Sequence, residues 1–310
     1  MARPRRSRTV SRSVLEPAGP WTHRQISAGG ASFHVADAGP ESPGHAVVLL
    51  HPFPLSWWAW REVIPALVAD GHRVVAMDLR GFGTSDLQRD DPDLVQLADD
   101  VTAVISAMGI AQFSVVGTGM GGAVAWMLGA QDPISLRTAI TVASPHPLER
   151  RHGPLPGHLT RGALLELRLD VPLRRVLLLE NGRLVTGLIR EWAAPANRER
   201  LVTQSGPYRA AMARPFAASS ATETFQATRH PNLASRRLLA EPVRVPVLSV
   251  QCGLDGSLTS RDFGGDIEHV SGTFAQVILH TSGHFAPEEA PAELAAVVLD
   301  HLARTPARTI

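Results

Sequence analysis

Phe113-Ser114-Val115-Val116-Gly117-Thr118-Gly119-Met120-Gly121-Gly122 is the stretch whose reading decides the fold. Phe113 to Val116 form a short apolar run, as a buried strand requires. Gly117 to Gly122 supply residues that tolerate positive φ and close backbone approach, and Ala123 to Ala130 continue with helix formers. The layout is strand, sharp turn, helix. A turn of the form G-x-nucleophile-x-G lifts one side chain above a parallel sheet. Here it reads Gly117-x-Gly119-x-Gly121, with glycine in the nucleophile's place. The same glycines also fit G-x-G-x-x-G, the opening of a dinucleotide-binding helix. That reading is set aside because such a fingerprint sits in a first strand–helix unit with an acidic residue about 20 positions on. This turn follows several earlier units, and Asp132 lies before any next strand.

Working outward, strand and helix patterns alternate. Ala31 to Ala36 reads as a half-buried strand, and Ala46 to Leu50 and Arg73 to Met77 as strands buried on both faces. Leu94, Leu97, Val101, Val104 and Ile105 recur at helical spacing between Asp93 and Met108. Ala139 to Ala143, Val245 to Val250 and Phe274 to Leu279 read as further strands, and a closing helix runs from about Pro287 to Leu302. This alternation predicts an α/β fold with a doubly wound, mostly parallel sheet. It is lost between about Leu148 and Glu241, a stretch rich in Arg, Leu and Ala that reads as an inserted helical cap. The expected organisation is a disordered basic tail at 1–20, a core at 21–147 and 242–310, and the cap at 148–241.

Composition narrows the function. The chain has 310 residues, a formal net charge of +1 and no lysine, all 30 of its basic residues being arginine. A balance so near zero gives no reason to expect nucleic acid or an anionic membrane as partner. One cysteine, Cys252, excludes an internal disulfide and fits a reducing cytoplasm. No apolar run approaches the roughly 20 residues of a membrane span, and the arginine-rich start lacks the apolar core of a secretory signal. No cofactor or metal is called for.

Two strand ends beyond the cap carry groups suited to chemistry. Asp255 follows the Val245 to Val250 strand, and His284 follows the Phe274 to Leu279 strand. Ligands bind outside the carboxyl ends of parallel strands, so the Gly119 turn, Asp255 and His284 are expected to converge on one cleft. Asp255 alone also suits a turn, so its role depends on His284. His51 is expected to hold its loop through its ring nitrogens, and Asp78 with Arg80 to form a structural pair. Trp57, Trp58 and Trp60 are expected to divide between cleft and core, with Trp57 assigned to substrate. Tyr208 is assigned to substrate as well, beside the alternative of plain helix packing. His146 is read as a loop histidine at the edge of the cleft.

In the order of these blocks the chain resembles the α/β-hydrolases from roughly Trp21 to Leu302, and within them the epoxide hydrolases and haloalkane dehalogenases. His51-Pro52-Phe53-Pro54 resembles the H-G-x-P oxyanion loop. Asp78-Leu79-Arg80-Gly81-Phe82-Gly83-Thr84-Ser85 resembles D-x-R-G-x-G-x-S, and Gly283-His284-Phe285 resembles the histidine block. The resemblance implies an aspartate that attacks an epoxide carbon and a histidine, oriented by an acid, that activates water against the resulting ester. Carried over by position, His284 is the base, Asp255 its orienting acid and Gly119 the nucleophile's place. The backbone N–H groups of Phe53 and Met120 form the oxyanion hole, and the substrate is a small apolar molecule in the cleft under the cap.

Four positions depart from that pattern. Gly119 has no reactive atom, Thr118 replaces the usual histidine, and Pro52 replaces the usual glycine. Tyr208 is the only tyrosine, with Phe225 where a second cap tyrosine would stand. Several linked positions have drifted together, which points to natural loss rather than a laboratory substitution. Three functions follow as expectations: a degenerate enzyme that keeps a binding pocket, a hydrolase in which His284 and Asp255 activate water directly, and a partner-binding scaffold with a vestigial cleft.

Overall fold

In the computed structural model, the residues described are 10–41, 44–88, 92–149 and 178–305. They contain one eight-stranded sheet, built from β1 (Thr22–Ala28), β2 (Ala31–Ala38), β3 (His45–Leu50), β4 (Arg73–Met77), β5 (Gln112–Thr118), β6 (Leu136–Val142), β7 (Val247–Cys252) and β8 (Phe274–Leu279). The spatial order is β1-β2-β4-β3-β5-β6-β7-β8. β1 and β2 form a hairpin across Gly29-Gly30, both at positive φ, and β2 meets β4 antiparallel. All later pairings are parallel.

The central strands are apolar throughout because the sheet is covered on both faces. In β3, Val48 and Leu50 join one buried cluster while Val47 and Leu49 join the other. Burying each such side chain stabilises the fold by about 1.5–3 kcal/mol. Helices α3 (Leu94–Ala107) and α4 (Met120–Gln131) cover the first face, and α2 (Ile64–Ala69) covers the second. Asp93 caps α3, its side chain accepting from Gln96 N.

Between β6 and β7 every regular element among the described residues is helical: α5 (Arg183–Trp192), α6 (Arg198–Gln204), α7 (Gly206–Met212), α8 (Ala217–Arg229) and α9 (Leu233–Leu239), with a 3₁₀ turn at Pro195–Asn197. In α5, Leu184, Val185, Leu188, Ile189 and Trp192 are buried, a single helical face that joins the first cluster. Residues 150–177 of the expected cap lie outside the described residues.

Three expectations differ from the structure. Residues 12–15 form a one-turn helix, α1 (Arg12–Leu15), instead of a disordered arm, because Leu15 is buried and its carbonyl accepts from Trp57 Nε1 at 3.1 Å. Residues 1–9 of that expected tail lie outside the described residues. β1 was not expected as a strand: Thr-His-Arg-Gln-Ile-Ser-Ala has no apolar run, and its pairing to β2 at the sheet edge decides its state. The closing helix is divided into α10 (Ala286–Glu289) and α11 (Pro291–Arg304), since Ala290, the residue before proline, is driven out of the helical region.

Candidate active site

β5 runs into Gly119, whose φ of 55° and ψ of −109° make the sharp turn before α4. The turn is possible only with small residues around it. A Cβ on Gly117 would fall 2.1 Å from the Gly121 carbonyl oxygen, and one on Gly121 would fall 2.3 Å from that of Leu50. Gly119 N donates to Val142 O and Gly121 N to His51 O, which fastens the turn to β6 and to the loop after β3.

The structure brings His284 and Asp255 together and sets them over this turn. His284 Nδ1 lies 2.8 Å from Asp255 Oδ2, and Ser257 Oγ approaches the same nitrogen at 3.1 Å. Asp255 Oδ1 accepts from Ser257 N, Ser257 Oγ and Leu258 N, so the carboxylate is fixed by its own turn. His284 is buried, with its ring edge-on to Trp192 and Phe285 at centroid distances of 4.9 and 5.3 Å. Its Nε2 lies only 2.9 Å from the place a Cβ on Gly119 would occupy. The imidazole therefore stands against the position where a nucleophile's side chain would begin.

The amides of Phe53 and Met120 donate to no acceptor among the described residues. The Phe53 ring stacks on Phe225 of α8, 4.1 Å apart and tilted by 19°, so the helical segment lies directly on this loop. His51 is fully buried and holds the loop as its ring nitrogens suggested. Its Nε2 accepts from Leu79 N at 3.1 Å, Nδ1 donates to Pro52 O, and burial lowers its pKa.

Of the two residues assigned to substrate, Trp57 packs on the other face of the sheet, whereas Tyr208 lies in the same buried cluster as Phe53, Trp192 and Phe225. Trp57 is buried in the cluster on the other face, edge-on to Trp21 and to His23, with its amide donating to Asp78 Oδ1. Tyr208 is buried with its hydroxyl donating to Glu288, which also pairs with Arg61 at 2.6 Å. Of the other tryptophans, Trp60 is core and Trp58 is half-buried under Arg61. Asp78 and Arg80 are not paired to each other: Asp78 faces His34, and Arg80 makes a two-pronged contact with Asp100 at 2.6 and 2.8 Å. His146 is buried, stacked on His269 at 3.6 Å, and burial pushes its pKa down to about 2.

Two contributors escaped the sequence reading. Glu289 accepts from the amides of Ala194, Gly283 and Phe285, tying the end of α5 to the loop of His284, and burial raises its carboxyl despite those bonds. Trp192 accepts through its carbonyl from both His284 N and Gly256 N. Neither residue carries a motif, since their partners come from separate segments. Among the described residues, one group of side chains could ligate a metal ion: Glu16, His23 and His34, at the β1–β2 edge.

Known proteins share this fold. Epoxide hydrolase B of Mycobacterium tuberculosis is 45% identical over 107 residues, spanning 34% of this chain and 30% of that relative. The soluble epoxide hydrolase of Corynebacterium sp. (strain C12) is 41% identical over 105 residues, 34% of this chain and 35% of the relative. The chain thus aligns with about a third of the length of these relatives. Among solved structures, epoxide hydrolase A from Mycobacterium thermoresistibile superposes with a TM-score of 0.71 at 19% identity, covering 92% of this chain and 99% of that one. An epoxide hydrolase from an endophytic Streptomyces superposes with a TM-score of 0.74 at 22% identity, covering 93% and 98%. At those identities the superpositions show the fold alone. A model of the α/β-hydrolase fold matches residues 45–211, more than half of the sequence, and the chain belongs to that family.

Proposed function

We propose that this chain is a degenerate relative of the epoxide hydrolases that binds a small apolar molecule beneath its helical segment without forming a covalent intermediate. The observation that carries the reading is Gly119 with His284 Nε2 2.9 Å from its missing Cβ. No atom is available to attack a substrate carbon there, and the base stands against the vacated position. The amides of Phe53 and Met120, without an acceptor among the described residues, support a retained anion-binding corner. Trp192 Nε1, buried beside His284 without an acceptor among the described residues, supports a retained donor for a polar group of the ligand. The single cysteine supports a reducing, cytoplasmic setting.

A second reading rests on the intact His284–Asp255 pair. A histidine whose Nδ1–H is held by a carboxylate keeps Nε2 as a base, so it can take a proton from water that attacks a reactive epoxide or ester directly. Loss of one triad member leaves about 10³–10⁴-fold catalysis over water in well-studied cases, enough to measure.

Turnover of an aryl epoxide and a panel of nitrophenyl esters, by the native chain beside Gly119→Asp and His284→Ala, tests both. Silence from the native chain with gain of activity in Gly119→Asp supports the first reading. Native turnover that His284→Ala abolishes replaces it with the second, and native turnover that survives His284→Ala overturns both.

A further inference from the structure

The N-terminal segment, β1 and β2 meet in a cluster that the hydrolytic reading leaves unused. His34, in β2, is fully buried, and its Nδ1 lies 2.8 Å from Asp78 Oδ2. A carboxylate only accepts, so the ring hydrogen sits on Nδ1 and Nε2 is left as a lone pair. His23, in β1, places Nε2 3.0 Å from the carbonyl oxygen of Pro17. That oxygen also only accepts, so the hydrogen of this ring sits on Nε2 and Nδ1 is left as a lone pair. These two nitrogens, His34 Nε2 and His23 Nδ1, face each other at 2.9 Å. Three contacts call for three ring hydrogens, whereas two neutral imidazoles hold two. Either a third ring proton or a metal ion therefore stands between the lone pairs.

We propose that Glu16, His23 and His34 form a site for a six-coordinate divalent transition-metal ion. One donor atom from each lies within 4.8 Å of the others. Metal–imidazole bonds of about 2.0–2.1 Å across the 2.9 Å nitrogen pair enclose an angle near 90°. That angle suits two adjacent positions of an octahedron, and it is tighter than a tetrahedral zinc site prefers. Two imidazoles with one carboxylate suit Co²⁺, Ni²⁺ or Fe²⁺ and leave positions for water, whereas Mg²⁺ and Ca²⁺ favour an all-oxygen set. The surroundings match what a ligating histidine needs: each ring donates its remaining N–H to a fixed acceptor, Asp78 for His34 and Pro17 O for His23. Asp78 is itself held by the amides of Trp57 and Thr84. Glu16 is oriented by Thr84 Oγ1 at 2.7 Å and Arg12 Nε at 2.6 Å. The ion fastens the segment after α1 to the edge of the sheet.

Titrating the chelator-treated full chain with Co²⁺, followed by calorimetry and visible absorption, tests the site. The expected result is one saturable equivalent of Co²⁺ and a melting temperature that rises with its concentration. His23→Gln and Glu16→Gln should each weaken binding at least about 10-fold, while His72→Gln, half-buried just before β4, should bind like the native chain. Both test variants keep a hydrogen-bonding side chain, and circular dichroism checks that they fold. Absence of saturable binding to the native chain overturns the proposal, leaving a shared proton between the rings. Binding retained at full affinity in both variants overturns it as well, because the ion then sits elsewhere.

Discussion

Two histidine–aspartate pairs in this molecule have the same inner geometry. His284 Nδ1 lies 2.8 Å from Asp255 Oδ2, and His34 Nδ1 lies 2.8 Å from Asp78 Oδ2. What separates them is the second ring nitrogen. In His284 it faces the turn at Gly119 near two unpaired amides, at the carboxyl ends of the parallel strands. In His34 it faces another imidazole inside the β1–β2 edge, where Asp78 also accepts from the amides of Trp57 and Thr84. A carboxylate beside an imidazole therefore says little about chemistry by itself; what the far nitrogen meets decides whether the pair can move a proton, hold an ion or brace a fold.

The contrast can be broken by mutation. Asp78→Ala is expected to cost most, about 3–5 kcal/mol in urea unfolding, because it leaves a buried histidine and two amides without their acceptor. A cost below 1 kcal/mol would show that this pair does not brace the fold. Gly119→Ala is expected to lose about 1–3 kcal/mol, since φ of 55° disfavours any Cβ and His284 must give way. The same measurement for Gly119→Asp separates this backbone cost from any gain of activity.

His146 sharpens the comparison from a third side, as a buried histidine whose amide donates to Asp266 but whose ring meets no carboxylate at hydrogen-bond distance among the described residues. Unfolded, it takes a proton near pH 6.5; folded, only near pH 2. The unfolded chain thus binds more protons between those values, and stability falls as the pH drops through that window by up to about 1.4 kcal/mol per unit. His146→Gln should flatten that slope in denaturant titrations at pH 7 and 5. The smallest effect is expected from Tyr208→Phe. It removes one donor to Glu288 while Arg61 remains, costing about 1 kcal/mol, and any residual turnover should be unchanged. A large loss of turnover would show that Tyr208 acts in the site.

Most of the framework was legible because its signals are local. Apolar runs such as Ala46 to Leu50 stay apolar whichever face they meet, and small residues at 117, 119 and 121 admit a turn that larger ones forbid. β1 and the helix at residues 12–15 were not legible, since a polar edge strand and a single buried leucine carry no period. The place of Trp57 was not legible for a related reason. A large amphipathic side chain reads the same whether it lines a cleft or closes a core, and only the positions of Asp78 and Leu15 direct Trp57 away from the cleft.

The sequence by itself determined the alternation of strand and helix, the glycine at the nucleophile's place and the order of turn, acid and histidine, because each is written in consecutive residues. Tertiary structure alone decided that His284 stands against the missing Cβ, that Glu289 ties three amides together, and that His23 and His34 face each other at 2.9 Å. Those outcomes depend on distances between segments far apart in the chain, which packing fixes and no local pattern encodes.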